Sequence, residues 1–172
     1  MASERPELVA SNRTTLDKYY KEEFTKNDLI VKRKEPRYVV ADRFLDITSL
    51  DYDRDSADLI VCVQTLEHLT PNEVGRALTN WHSILRPGGI LHLDVPDFEE
   101  TARLLLAQKE EKEKEWFYRL IFGSQKDDFS FHKDGHSEEK LRRILATYGF
   151  RGIKRLPDTR HFYPCVIVEC SK

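Results

Sequence analysis

Residues 58–96 read DLIVCVQTLEHLTPNEVGRALTNWHSILRPGGILHLDVP, and they restrict the fold more than any other stretch. The run DLIVCV has the unbroken hydrophobicity of a strand covered on both faces. Thr70 followed by Glu73 is a capping box, with Pro71 at the first helical position, where a missing N–H is no loss. Val74, Ala77, Leu78, Trp81, Ile84 and Leu85 then recur at helical spacing and form one apolar stripe. RPGG stops the helix, and ILHLDV, 90–95, is a second buried strand after a four-residue turn. A unit of this length is a right-handed βαβ crossover, whose ligand edge is the carboxyl end of its strands. That edge holds residues 64–69 and 96–98.

Around this unit the chain divides into a charged arm, 1–36, and a domain, 37–172. Leu16, Tyr19, Tyr20 and Phe24 share one face of a short helix in the arm. YVV and RFLDI, before the crossover, read as further strands of a parallel sheet. A helix from about Glu99 runs through leucines into KEEKEKE, which is a solvated face. Residues 123–136, GSQKDDFSFHKDGH, form a long polar loop of the kind that serves as a lid or stays disordered. Ser137 caps a last helix carrying Leu141, Ile144, Leu145 and Tyr148, closed by Gly149. RGIKRL and FYPCVIVEC flank PDTRH as an antiparallel pair at the sheet edge.

Composition excludes several classes. The formal charge of −2, from 28 basic and 30 acidic residues, supplies no field to draw nucleic acid or an anionic membrane. No apolar run nears the roughly 20 residues that span a bilayer, and the first 30 residues lack a signal peptide's apolar core, so the expected location is the cytoplasm. Cys62, Cys165 and Cys170 have no C-x-x-C partner, which argues for reduced core residues rather than a zinc site.

The blocks LDITSLDYDRDSADLIVCVQTLEHL, ILRPGGILHLDVP and GHSEEKLRRILATYGF, in this order, closely resemble the second half of class I S-adenosylmethionine-dependent methyltransferases, over roughly residues 38–170. The resemblance implies an α/β, Rossmann-like fold, with a mostly parallel, doubly wound sheet and a carboxyl-terminal antiparallel strand pair, abbreviated here at the amino end. It implies S-adenosylmethionine as cofactor and a small-molecule or sugar acceptor. Asp46 and Ile47 then look like the acidic-apolar pair that meets the adenine, and Gln64, Thr65, Glu67 and His68 occupy the turn under the cofactor's methionine and ribose. Asp46 read by itself is equally a turn or cap residue, and His68 a hydrogen-bonded structural histidine. His132 and His136 are the candidate bases for an acceptor hydroxyl. HKDGH has a metal-like H-x-x-x-H spacing, but Gly135 argues against the helix that would align the pair, so no metal is expected.

The sequence departs from that family in one respect. All seven glycines, at 75, 88, 89, 123, 135, 149 and 152, follow position 74, so no glycine-rich turn precedes Asp46. Glycine is what lets backbone N–H groups approach the methionine moiety. Two readings follow: a methyltransferase, in which the departure weakens or abolishes cofactor binding, or a non-enzymatic descendant serving as a binding or subunit-pairing module. A third is a nucleotide-binding module using the same crevice. An exposed sheet edge would favour a homodimer, pairing with another subunit, or coverage by the arm.

Overall fold

The computed structural model describes residues 43, 45–127, 129–157 and 161–172; the arm and YVV lie outside the described residues. β1 (Ala57–Val63) leads through a 3-10 turn (Leu66–His68) into α1 (Pro71–Ile84). The capping box forms as its residue types dictate: Glu73 N donates to Thr70 Oγ1, and Thr70 N to Glu73 Oε2 at 2.8 Å. Val74, Ala77, Leu78, Trp81 and Ile84 are all buried, so the stripe read from spacing is the face α1 turns to the core. At about 1.5–3 kcal/mol for each large side chain, that stripe fixes the helix far more firmly than its cap.

α1 passes without a loop into β2 (Leu85–Pro96). The expected four-residue turn is instead a bulge within the strand. Ala57 pairs with Leu85 and pairing resumes at Leu59 with Ile90, so Arg86–Gly89 swing out, Gly88 at φ 78°. Lys172 holds the bulge from the far side, its N–H donating to Gly89 O at 3.0 Å.

The sheet order is β1-β2-β4-β3, with β3 (Arg151–Leu156) and β4 (Cys165–Ser171) antiparallel to each other, β4 antiparallel to β2, and β1 parallel to β2. The carboxyl-terminal pair thus forms as the sequence signals, with β4 inserted between β2 and β3. All three cysteines are free and buried.

Two further expectations fail. RFLDI is not a strand where it is described. Asp46 Oδ1 accepts from Thr48 N at 2.9 Å and Thr48 Oγ1 at 2.8 Å, and Ser49 N donates to Asp46 O, which closes a turn at the expense of an extended ladder. The single helix from Glu99 is two: α2 (Phe98–Ala107) and α3 (Glu111–Phe122), which pack on each other. Gln108 takes an extended conformation, its side chain donating to Leu104 O at 2.9 Å, and this cap lets the chain fold back. α4 (Glu138–Thr147) starts at the expected cap, Ser137, buries Leu141 and Leu145, and closes at Gly149, φ 91°. Among the described residues no helix is long and apolar enough to cross a membrane.

Candidate functional site

The carboxyl end of the β1–β2 pair is where polar groups are buried together. Asp94, next to last on β2's apolar run, is 0% exposed. Its Oδ1 accepts from Gln64 Nε2 at 2.8 Å and its Oδ2 from His161 Nε2 at 2.8 Å. Gln64 Oε1 in turn accepts from Tyr163 Oη at 3.1 Å, and Gln64 N donates to Asp94 O at 2.7 Å. Gln64 adopts φ 48°, a left-handed conformation that costs a non-glycine residue on the order of 1–3 kcal/mol and persists only where surrounding bonds over-determine it. Gln64 is thus a strained residue held by a buried carboxylate at the ligand edge of the sheet.

One turn further on, Glu67 and His68 meet the 123–136 loop. The carbonyl of Glu67 accepts both Lys133 N at 2.8 Å and Asp134 N at 3.2 Å. His68 Nδ1 donates to Phe131 O at 2.9 Å, and His132 Nδ1 to Leu120 O at 2.9 Å. The two rings stand 4.8 Å apart at 81°. The loop folds back on itself between Gly123 and Phe131, and Gly123, at φ 81°, lies so close that a Cβ there would sit 2.1 Å from Ser130 O. Burial pushes the Glu67 carboxyl up to about 8, with Asp94 adding repulsion. Burial brings His132 down to about 4, with repulsion from His68 adding to it, and lowers His68 as well.

The residues singled out from sequence separate into groups. Gln64 joins the Asp94 network, while Thr65 turns its hydroxyl onto Val63 O at 2.7 Å. Glu67, 3% exposed, and His68 face the loop. His132 joins them there, but His136 does not: it is 1% exposed, follows Gly135 into a bridge with Asp97, and neither ring nitrogen has a hydrogen-bond partner among the described residues. The His132–His136 pair therefore does not converge, consistent with an extended rather than helical HKDGH. Asp46 is exposed in its turn, and Ile47 packs on the core with its carbonyl accepting Trp81 Nε1 at 2.8 Å. Asn80 brackets the same turn, accepting Leu50 N at 2.9 Å and donating to Leu50 O at 3.2 Å. Sequence reasoning missed Asp94, His161 and Tyr163. The usable signal was Asp94 itself, a carboxylate at the ligand end of an otherwise apolar strand.

Residues 13–93 match a family of methyltransferase domains. The tRNA N(3)-methylcytidine methyltransferase Mettl2 of Drosophila melanogaster is 30% identical over 129 residues, 70% of this chain and 35% of its own length, so the chain spans about a third of that relative. A solved S-adenosylmethionine-dependent methyltransferase of Thermotoga maritima, described as a possible histamine N-methyltransferase, has a TM-score of 0.50 at 18% identity, over 73% of this chain and 61% of that one. A candidate O-methyltransferase of Nostoc punctiforme PCC 73102 has a TM-score of 0.51 at 13% identity, over 77% of this chain and 35% of that one. Identities this low speak for the fold alone. The domain match over residues 13–93 and the shared mixed α/β sheet agree with the blocks quoted from the sequence, and the fold is the Rossmann-like one of the class I S-adenosylmethionine-dependent methyltransferases.

Proposed function

We propose that the chain transfers a methyl group from S-adenosylmethionine to a polar small molecule, of the sugar or hydroxylated kind, at the carboxyl end of β1 and β2. The observation that carries this reading is Gln64, held at φ 48° by Asp94 and Tyr163. S-adenosylmethionine, when bound, supplies an electrophilic methyl on a sulfonium. The residues open to it are the exposed Asp46 turn and the half-buried Gln64 and Thr65; Glu67 is too deeply buried to line that surface.

Asp94 orients the His161 imidazole through Nε2 and fixes which nitrogen carries the proton, while Gln64 and Tyr163 offer the amide and phenol that hold acceptor hydroxyls. An acceptor oxygen that took up the methyl would give its proton to a base or to solvent. His161, with a side chain 0% exposed, acts through Asp94 to hold Gln64 in place and does not itself touch the acceptor. The test is transfer of labelled methyl to a panel of sugars and small hydroxylated acceptors. Asp94→Asn should lower the rate by about 100-fold or more, by loosening the Gln64 turn. Equal rates for both proteins would refute the assignment.

A second reading, the non-enzymatic module, draws on the absence of glycine before position 75. It also draws on β1, one of the two outer strands among the described residues, with Leu59 48% exposed. Losing two or three backbone hydrogen bonds to the cofactor, at roughly 1 kcal/mol each, would weaken binding about a hundredfold. Calorimetric titration separates the readings. A low-micromolar dissociation constant for S-adenosylmethionine supports methyl transfer, and no heat at ~1 mM supports the module.

A further inference from the structure

Glu67 presents a problem that hydrogen bonding leaves unsolved. Its side chain is buried, 3% exposed, and Oε2 has no hydrogen-bond partner among the described residues. His68 Nε2 stands 3.9 Å from Oε1, beyond hydrogen-bond reach. Burying a carboxyl oxygen without a partner costs on the order of 1–3 kcal/mol. The two imidazoles beside it have the complementary property. Each spends its Nδ1 proton on a main-chain carbonyl at 2.9 Å, Phe131 O for His68 and Leu120 O for His132. That bond fixes the tautomer with Nε2 as the bare lone pair, which is how proteins orient histidines that ligate metals. One donor atom from each of Glu67, His68 and His132 lies within 4.8 Å of the others. Imidazoles sharing an ion at about 2.0–2.1 Å hold their ring centres ~5 Å apart, and these two stand 4.8 Å apart at 81°.

We propose that Glu67, His68 and His132 form a binding site for one divalent transition-metal ion of the zinc class, taking two imidazole nitrogens and one carboxylate oxygen. The ion gives Glu67 its missing partner and fastens the 123–136 loop to the turn after β1. Donor atoms around a tetrahedral ion lie about 3.4 Å apart, so the cluster has only to close by up to ~1.4 Å. Two nitrogens and one oxygen leave a coordination position for water, and suit zinc or cobalt rather than magnesium or calcium. The site stands apart from the Asp94 network, and its test requires no methyl donor or acceptor.

The experiment is a titration of the untagged, metal-stripped chain with zinc, then with cobalt as a spectroscopic probe. Zinc should bind one to one, and an excess of 100-fold over its dissociation constant should raise Tm by about 5 °C or more. His132→Ala and Glu67→Gln should each weaken binding by about 10-fold or more, and His92→Ala, at a histidine-carboxylate pair elsewhere in the sheet, should leave it unchanged. Cobalt bound to the unaltered chain should show the visible bands of four- or five-coordinate nitrogen and oxygen ligation, a result independent of whether the variants fold. Absence of those bands at one equivalent overturns the proposal. So does a thiolate charge-transfer band, which would put the ion at Asp94, His161 and Cys165. Equal affinity in the His132→Ala chain overturns it as well.

Discussion

His136 shows how a single side chain can set the acid limit of the fold. It is 1% exposed, and burial holds its imidazole down at about 4, against 6.5 when free, with Asp134 opposing the shift and Lys140 adding to it. Between those two values the unfolded chain binds the proton and the folded chain does not, so stability falls as pH drops from about 6.5 and levels off below about 4. Glu67, raised to about 8, works the other way over the same range, so the His136 contribution is read by difference: His136→Gln should make Tm fall less steeply, or rise more, than in the unaltered chain as pH drops from 6.5 to 4. None of this is legible in HKDGH, because two histidines four apart in a polar loop look alike in sequence. Tertiary placement puts one against His68 and the other beside Asp97, just past the end of β2. Asn80 belongs to the same scale. Asn80→Ala strips Leu50 of both side-chain bonds and should cost about 1–3 kcal/mol, read from urea denaturation, with the Asp46 turn loosened.

Among the elements, α1 was readable almost whole, since its capping box and stripe are local patterns of the kind that tertiary context reinforces. The boundary between α2 and α3 was not. Leucines and then charged residues are equally good helix formers on both sides of Gln108, and the break comes from packing one helix on the other. The 123–136 segment was recognisable as a loop, but its fold-back hinges on the close approach at Gly123. Gly123→Ala meets both a positive φ and a backbone oxygen 2.1 Å from the new methyl. We expect it to destabilise the chain by about 2 kcal/mol or more and to displace His132, seen as a lowered urea midpoint and altered His132 ring resonances. The site was half legible for a related reason. Gln64, Glu67 and His68 follow from the rule that ligands meet the carboxyl ends of strands, whereas His161 and Tyr163 reach Asp94 and Gln64 from 67 and 99 positions away.

On the scale of the whole molecule, β2 is the strand that joins the parallel part of the sheet to the antiparallel part, and Leu91, Leu93 and Val95 on it are all 0% exposed. Leu93→Ala should cost about 2–5 kcal/mol and lower Tm by about 5–15 °C, as one displaced cooperative transition in calorimetry rather than two. The Glu67 carbonyl, which takes the amides of both Lys133 and Asp134, carries a consequence for how the molecule opens. One acceptor serves two neighbouring amides, so lifting the loop from the strand ends bares both protons in a single motion. In heavy water the two should share one protection factor once each rate is divided by its intrinsic value, a clock that times each such lifting.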